Sequence, residues 1–188
     1  MQSLTSFTVA LLALLLVPGP TNTLLALSGA TVGLYRSLHL LVYELIGYES
    51  AIAFIRMTIV PVIARLHGQT RFIRAVAAVY LVGLAVVLWR RQLDHATRVV
   101  RAHQIFITTL LNPKALIIGL VLIPVSPSAV VRYWLLLSAT IPIVGGGWIY
   151  AGRFVGQAVP QKLATAIPRF GSLVLGAFAV VLIVSAVS

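Results

Sequence analysis

Few side chains in this sequence can do ionic or acid–base chemistry, and those few sit where such groups are expensive. Only three residues are acidic, and two of them, Glu44 and Glu49, fall in the apolar stretch HLLVYELIGYES. A lysine, Lys114, falls in another, FITTLLNPKALIIGLVLIP. A charged group inside such a run costs several kcal/mol at membrane depth, so it normally faces a partner, the bundle interior or water. Glu44 and Tyr48 are four residues apart and share a helix face, as do His39 and Tyr43. Glu44 is suited to carry a coupling proton, to accept a substrate ammonium, or to serve as counter-ion to Lys114 or Arg56. The sequence leaves these open. Glu49 reads as structural, because Arg56 lies two turns on along the same face.

The second group of residues consists of helix breakers. VPGPTN, residues Val17 to Asn22, interrupts an apolar run. Proline has no N–H and pushes its predecessor out of the α region, so no helix runs straight through Pro18-Gly19-Pro20. Pro20 suits the first position of a new helix. Two half-helices, Leu4–Val17 and Thr21–Leu34, are expected. The break frees carbonyls on one side and N–H groups on the other, and in hydrocarbon these need protein, water or a ligand. Asn112-Pro113-Lys114 repeats the device, since asparagine is a strong N-cap and proline is favoured just after it. A single proline in such a run is ordinarily a kink. Two interruptions at corresponding positions of two halves point to a transporter binding site.

If the halves are inverted, the restarted helices begin near the midplane and their N-terminal ends, Pro20–Thr23 and Pro113–Ala115, converge. Each end carries roughly half a positive charge with free donors, and Lys114 adds a full charge. Such a place favours an anionic group such as a carboxylate. The substrate-binding candidates are Pro18, Gly19, Pro20, Thr21, Asn22, Asn112, Pro113 and Lys114, with Glu44 as the proton-coupling candidate. Thr23, Thr108 and Thr109 add hydroxyls at the same level.

The elements that must position these residues follow from composition. Of 188 residues, 60% are hydrophobic and 9% are charged, against about a quarter charged in a soluble domain. Apolar runs lie near Leu4–Leu34, Leu38–Ala64, Phe72–Trp89, Ile105–Pro124, Ala129–Ala151 and Gly171–Val187. Each approaches or exceeds the roughly 20 residues that cross about 30 Å of hydrocarbon. They are apolar all round and do not alternate, so they read as helices and not as barrel strands. The expectation is one all-α integral membrane domain, 1–188, with six transmembrane helices. The polar stretch Arg90–Gln104 divides it into half-repeats of about 1–95 and 96–188. Three spans per half make a 3+3 inverted repeat, with helices 1 and 4 broken. The Leu38–Ala64 run exceeds one span, so it either tilts or ends near Ile55.

The formal net charge of +11 sits in short arginine clusters between the runs, without an aromatic-basic groove. It fits lipid headgroups and the positive-inside rule better than nucleic acid. Loops after spans one, three and five carry eight Lys or Arg residues, and those after spans two and four carry four, which places both termini away from the cytoplasm. There is no cysteine, which excludes disulfides and thiolate metal sites. His67, His95 and His103 show no metal-ligand spacing, and no metal or cofactor is expected. MQSLTSF lacks the positive charge of a cleaved signal peptide. Gly145-Gly146-Gly147 reads as close helix packing more than as a hinge. Tyr133, Trp134, Trp148, Tyr150 and Trp89 read as an aromatic belt. HExxH, nucleophile-elbow and paired-aspartate patterns are missing, so the chain does not read as an enzyme.

PGPTN after the first run, AVYLVGL at Ala78–Leu84 ahead of a basic loop, and LLNPKALI at Leu110–Ile117 resemble the LysE/RhtB family of amino-acid exporters, in order and spacing over essentially the whole chain. The resemblance implies six hydrophobic segments, a bacterial cytoplasmic-membrane location, and proton-driven efflux of amino acids or related small carboxylate metabolites. Carried over by position, Pro18, Gly19, Pro20, Asn112, Pro113 and Lys114 are the motif residues. The chain departs from the family pattern at Thr21, where many members have asparagine, and in the second span, where the usual glycines reduce to Gly47. The expected partners are a small zwitterion and the lipid bilayer, with homo-oligomerisation left open. The alternatives are an ion or metal exporter of a related superfamily and a non-transporting scaffold subunit.

Overall fold

A computed structural model describes residues 3–65, 99–124 and 127–155, together with scattered helical positions between 78 and 86 and between 173 and 184. The expected runs Phe72–Trp89 and Gly171–Val187 fall mostly outside the described residues, as do most of the loop arginines, and Trp89, His67 and His95 lie outside them. All described elements are helical.

Helix α1 (Leu4–Leu16) starts at Ser3, whose hydroxyl accepts from the Ser6 N–H at 3.1 Å, a serine N-cap. It stops at the Pro-Gly-Pro turn. Helix α2 (Pro20–Val32) restarts with Pro20 in its first turn and extended Gly19 as its cap. The two are bent by 63°. α2 ends at Gly33, whose φ of 86° lies in the left-handed region that glycine enters without steric penalty. That residue is the entire link to helix α3 (Leu34–Ser37). Ser37 ties the corner together, donating its hydroxyl to the Gly33 carbonyl at 2.8 Å and meeting the Ser28 hydroxyl at 2.7 Å.

α3 leads into helix α4 (Leu40–Phe54), a π-helical stretch π1 (Ile55–Ile59) and helix α5 (Val60–Arg65). Of the two expectations for this run, the structure takes the long one: helix continues past Ile55, and Leu34–Val62 is 29 residues long enough and apolar enough to cross a membrane. At 1.5 Å per residue that is about 43 Å, more than the hydrocarbon thickness, which such a rod accommodates by tilting or projecting.

The second break is built from different residues. Helix α6 (Ala102–Leu110) stops before Asn112, and helix α7 (Pro113–Ile117) runs on into π2 (Ile118–Leu122), bent by 44° from α6. The Asn112 side-chain oxygen accepts from the Lys114 N–H at 3.0 Å, which is the expected cap. Helix α8 (Pro127–Val155) passes through Pro142 unbroken. Among the described residues, two helices are long and apolar enough to cross a membrane, and four spans result if each bent pair counts as one.

Packing joins elements from distant parts of the sequence. Phe7, near the start of α1, meets Tyr133 of α8 edge-to-face at 4.7 Å. Leu24 and Leu25 of α2 share a buried cluster with Ile149 of α8. Gly29 and Gly152 make this second contact reciprocal: a Cβ on Gly29 would overlap the Ile149 carbonyl, and one on Gly152 the Ala26 carbonyl. Helices that touch backbone to backbone in this way need residues without side chains. Gly47 of α4 likewise lies on α6, where a Cβ would sit 2.8 Å from the Thr109 Cβ. Further along, the Arg56 guanidinium in π1 donates to the carbonyls of Ile123 and Pro124, both at 2.9 Å, and to Gly119 at 3.4 Å. These include carbonyls that a helix end leaves without partners.

Candidate functional site

The two breaks meet. Thr21, one residue into α2, is wholly buried, and its hydroxyl lies 3.2 Å from that of Thr109 at the end of α6. Asn112 Nδ2 donates to Thr21 Oγ1 at 3.2 Å and to the Tyr48 hydroxyl at 3.3 Å. Its Oδ1 is engaged by the Lys114 N–H. One amide thus caps α7, reaches the head of α2, and touches the middle of α4.

Two carbonyls at the first break, those of Leu15 and Val17, are satisfied by protein. Asn22 Nδ2 donates to Leu15 O at 2.8 Å and to Val17 O at 3.0 Å. The Lys114 ammonium donates to the same two carbonyls, at 3.2 Å to Leu15. A cation at the C-terminal end of α1 also opposes the negative end of that helix dipole. The lysine reaches there by crossing Gly19: a Cβ on Gly19 would lie 3.3 Å from Lys114 Cε and 3.5 Å from Nζ. So Pro18 and Pro20 break the helix, Gly19 clears a path, and the residue that fills the path comes from the other break. Pro113 starts the helix that aims it.

Every substrate-binding residue read from the sequence lies in this one region, and Thr21, Asn22, Asn112 and Lys114 are at most 7% exposed. The donors expected to await an anion are largely engaged inside the protein. Lys114 has three N–H groups, two of them directed at α1 carbonyls.

Glu44 is 2% exposed. Its carboxyl group occupies the space where a Cβ of residue 145 would otherwise be, so of the three consecutive glycines Gly145 is the one that admits it. A Cβ there would also come 2.8 Å from Leu41 Cδ2, whereas one on Gly147 would meet nothing within 4 Å. Glu44 and Lys114 act on each other electrostatically. Glu44 Oε2 nonetheless has no hydrogen-bond partner among the described residues, and neither does the buried Nε1 of Trp148.

Three neighbours differ from the sequence reading. Glu49 does not pair with Arg56: it accepts the Ser138 hydroxyl of α8, and Arg56 caps the end of π2 instead. Tyr133 is 6% exposed and belongs to the core, not to an interfacial belt. Trp148 packs against both buried clusters. Tyr150 and Phe154, by contrast, are outward-facing and stack edge-to-face at 4.8 Å. Tyr48, which accepts from Asn112, and Gly145, which admits Glu44, were not identified as site residues from sequence. For Tyr48 the signal was its place on the Glu44 face, one turn on.

Compared with protein-family models, curated proteins and solved structures, the chain matches none.

Proposed function

We propose that this chain is a secondary active exporter of amino acids or related small carboxylate metabolites in the bacterial cytoplasmic membrane, of the LysE/RhtB type and coupled to protons. The observation that carries this reading is the mutual completion of the two breaks: Asn112 holds Thr21, and Lys114 caps the severed end of α1. Interrupted helices paired in this way, deep in an apolar bundle and beside a buried carboxylate, are the build of a midplane transport site. The third N–H of Lys114 and the head of α2 offer a carboxylate its donors. Glu44 carries the coupling proton.

The packing directions support six spans in a 3+3 inverted repeat. α4 and π1 run alongside α6, α7 and π2 in the same sense, Gly47 by Thr109 and then Arg56 by Ile123. α1 and α2 run alongside α8 in the same sense, Phe7 by Tyr133 and then Leu25 with Ile149. Each pairing needs an odd number of crossings between the segments concerned, and in the six-span reading the apolar sequence 72–89 supplies the missing one. Exchanging spans one and five for spans four and two is what an inverted repeat does.

The test is export from proteoliposomes loaded with an amino-acid mixture, under an imposed pH gradient. Wild type should release specific amino acids, and Lys114→Gln and Glu44→Gln should each lose most of that flux. Wild-type rates from both variants would reject the mechanism. No gradient-dependent release at all would favour a scaffold subunit.

A further inference from the structure

Arg56 does more than cap a helix end. In π2 the Ile123 N–H donates to Ile118 O at 3.1 Å, five residues back. In an α-helix it would donate to Gly119 O, four residues back. The next residue, Pro124, has no N–H, so the π register leaves Gly119 O without a helical donor. Arg56 supplies one: its Nη1 donates to Gly119 O and to Ile123 O, while Nη2 holds Pro124 O. The arginine itself stands in π1, where the Val60 N–H likewise reaches five residues back, to Ile55 O. Ile55 packs on Gly119, since a Cβ there would lie 3.1 Å from Ile55 Cγ2. Two stretches of a rare helix type, one that often marks functional sites, are thus seated on each other and joined by one guanidinium. They also border one end of the broken-helix region. Tyr48, bonded to Asn112, lies at the level of the breaks. On one side of that level along α4, Leu40 shares a buried cluster with Leu25, Ile105 and Ile149. On the other side Ile52 shares one with Ile118 and Leu122. Apolar layers therefore close the breaks in both directions, and among the described residues π helix borders only the second.

We propose that π1 and π2 form a two-state gate beside the breaks, latched by Arg56. In the latched state, the one seen here, Arg56 stands in for the missing helical donor. In the released state the Ile123 N–H moves to Gly119 O and π2 becomes α. The Ile123 and Pro124 carbonyls then turn about the helix axis, off the guanidinium, and the layer of Ile52, Ile118 and Leu122 opens. The Ile123 N–H can serve Ile118 O or Gly119 O but not both, so the two registers are discrete alternatives, as a switching element requires. Arg56 sets the balance between them. Without it the π register strands Gly119 O, and the α register alone pairs that carbonyl. The purpose of the gate, passage to and from the breaks, rests on the export reading; the latch itself does not.

The test uses the full chain in detergent, where its lack of cysteine makes an introduced thiol the sole target of a small maleimide. Leu122→Cys reports the layer beside the π stretches, and Ile149→Cys reports the opposite layer; both positions are buried. Adding Arg56→Met should speed labelling of Leu122→Cys about tenfold or more, the scale of losing hydrogen bonds from a charged donor, and leave Ile149→Cys unchanged. No acceleration at Leu122→Cys overturns the latch. Equal acceleration at both positions overturns it too, because Arg56 then only holds the fold together. A second variant keeps Arg56. The Ile55 Cβ lies 3.4 Å from where a Cβ on Gly119 would be, about the spacing that a disulfide spans. Oxidised Ile55→Cys/Gly119→Cys should stop export from proteoliposomes, and a reductant should restore it. Full export with the bond formed, or a pair that does not crosslink, overturns the gate and leaves the export reading standing. The labelling contrast in a protein that exports nothing in any form upholds the latch and ends the export reading.

Discussion

At the scale of single residues, the two breaks differ from ordinary kinks because their side chains are shared. Leu15 and Val17 each accept from both Asn22 and Lys114. Removing either donor leaves the other in place, so Asn22→Ala or Lys114→Met alone should cost about 1–2 kcal/mol. Removing both strands the buried Leu15 carbonyl and the part-buried Val17 carbonyl, and the double variant should cost at least about 1 kcal/mol more than the sum. Unfolding titrations of the four proteins measure that excess, and simple additivity would show that the donors do not serve the same acceptors. Gly19 gives a graded companion. Gly19→Ala crowds only the end of a flexible lysine side chain and should be tolerated, whereas Gly19→Leu takes the lysine's path and should lower the unfolding midpoint as much as Lys114→Met does. The breaks themselves were legible in sequence, because proline and asparagine act on their own backbone. The route of Lys114 to α1 was not, because it depends on which helix end lies across from it.

Glycine shows the same division at the scale of elements. A run of three in α8 announces close packing without saying which member is packed. In the structure Gly145 holds the Glu44 carboxyl group and Gly147 meets nothing. Gly147→Ala should therefore be neutral or slightly stabilising, since alanine is the better helix former by about 0.8–1.0 kcal/mol. Gly29→Ala and Gly152→Ala place a methyl group into a facing backbone carbonyl. Backbone cannot step aside as a side-chain tip can, so each should cost about 1–3 kcal/mol, the usual cost of overpacking, by forcing α2 off α8. Thermal midpoints in detergent distinguish the three, and a tolerated Gly29→Ala would mean that α2 and α8 are not in backbone contact. Element identity was readable from runs of apolar residues. Partner identity was not: Glu49 and Arg56 share a face of one helix, yet each is claimed by a different neighbour, Ser138 and the end of π2.

At the scale of the whole molecule, the open question in the proposed arrangement is which side faces the cytoplasm, and the composition offers a clean way to ask. The chain has no cysteine, so any introduced thiol is the sole target of a maleimide. Tyr35 stands at the corner after α2 and is 84% exposed, and Val131, at the start of α8, is 64% exposed. In the six-span arrangement the first lies beside Arg36 on the arginine-rich side and the second beside Arg132 on the poorer one. The positive-inside rule then puts Tyr35 in the cytoplasm and Val131 outside. A membrane-impermeant maleimide added to intact spheroplasts should label Val131→Cys and spare Tyr35→Cys, and inverted vesicles should exchange the two. The same experiment tests the number of crossings, because a chain without a crossing between α5 and α6 would bring both positions to one side and label them together. The reverse pattern would keep the fold and overturn only the assignment of sides, because the proton gradient, and not the orientation of the protein, sets the direction in which a proton-for-substrate exchange runs.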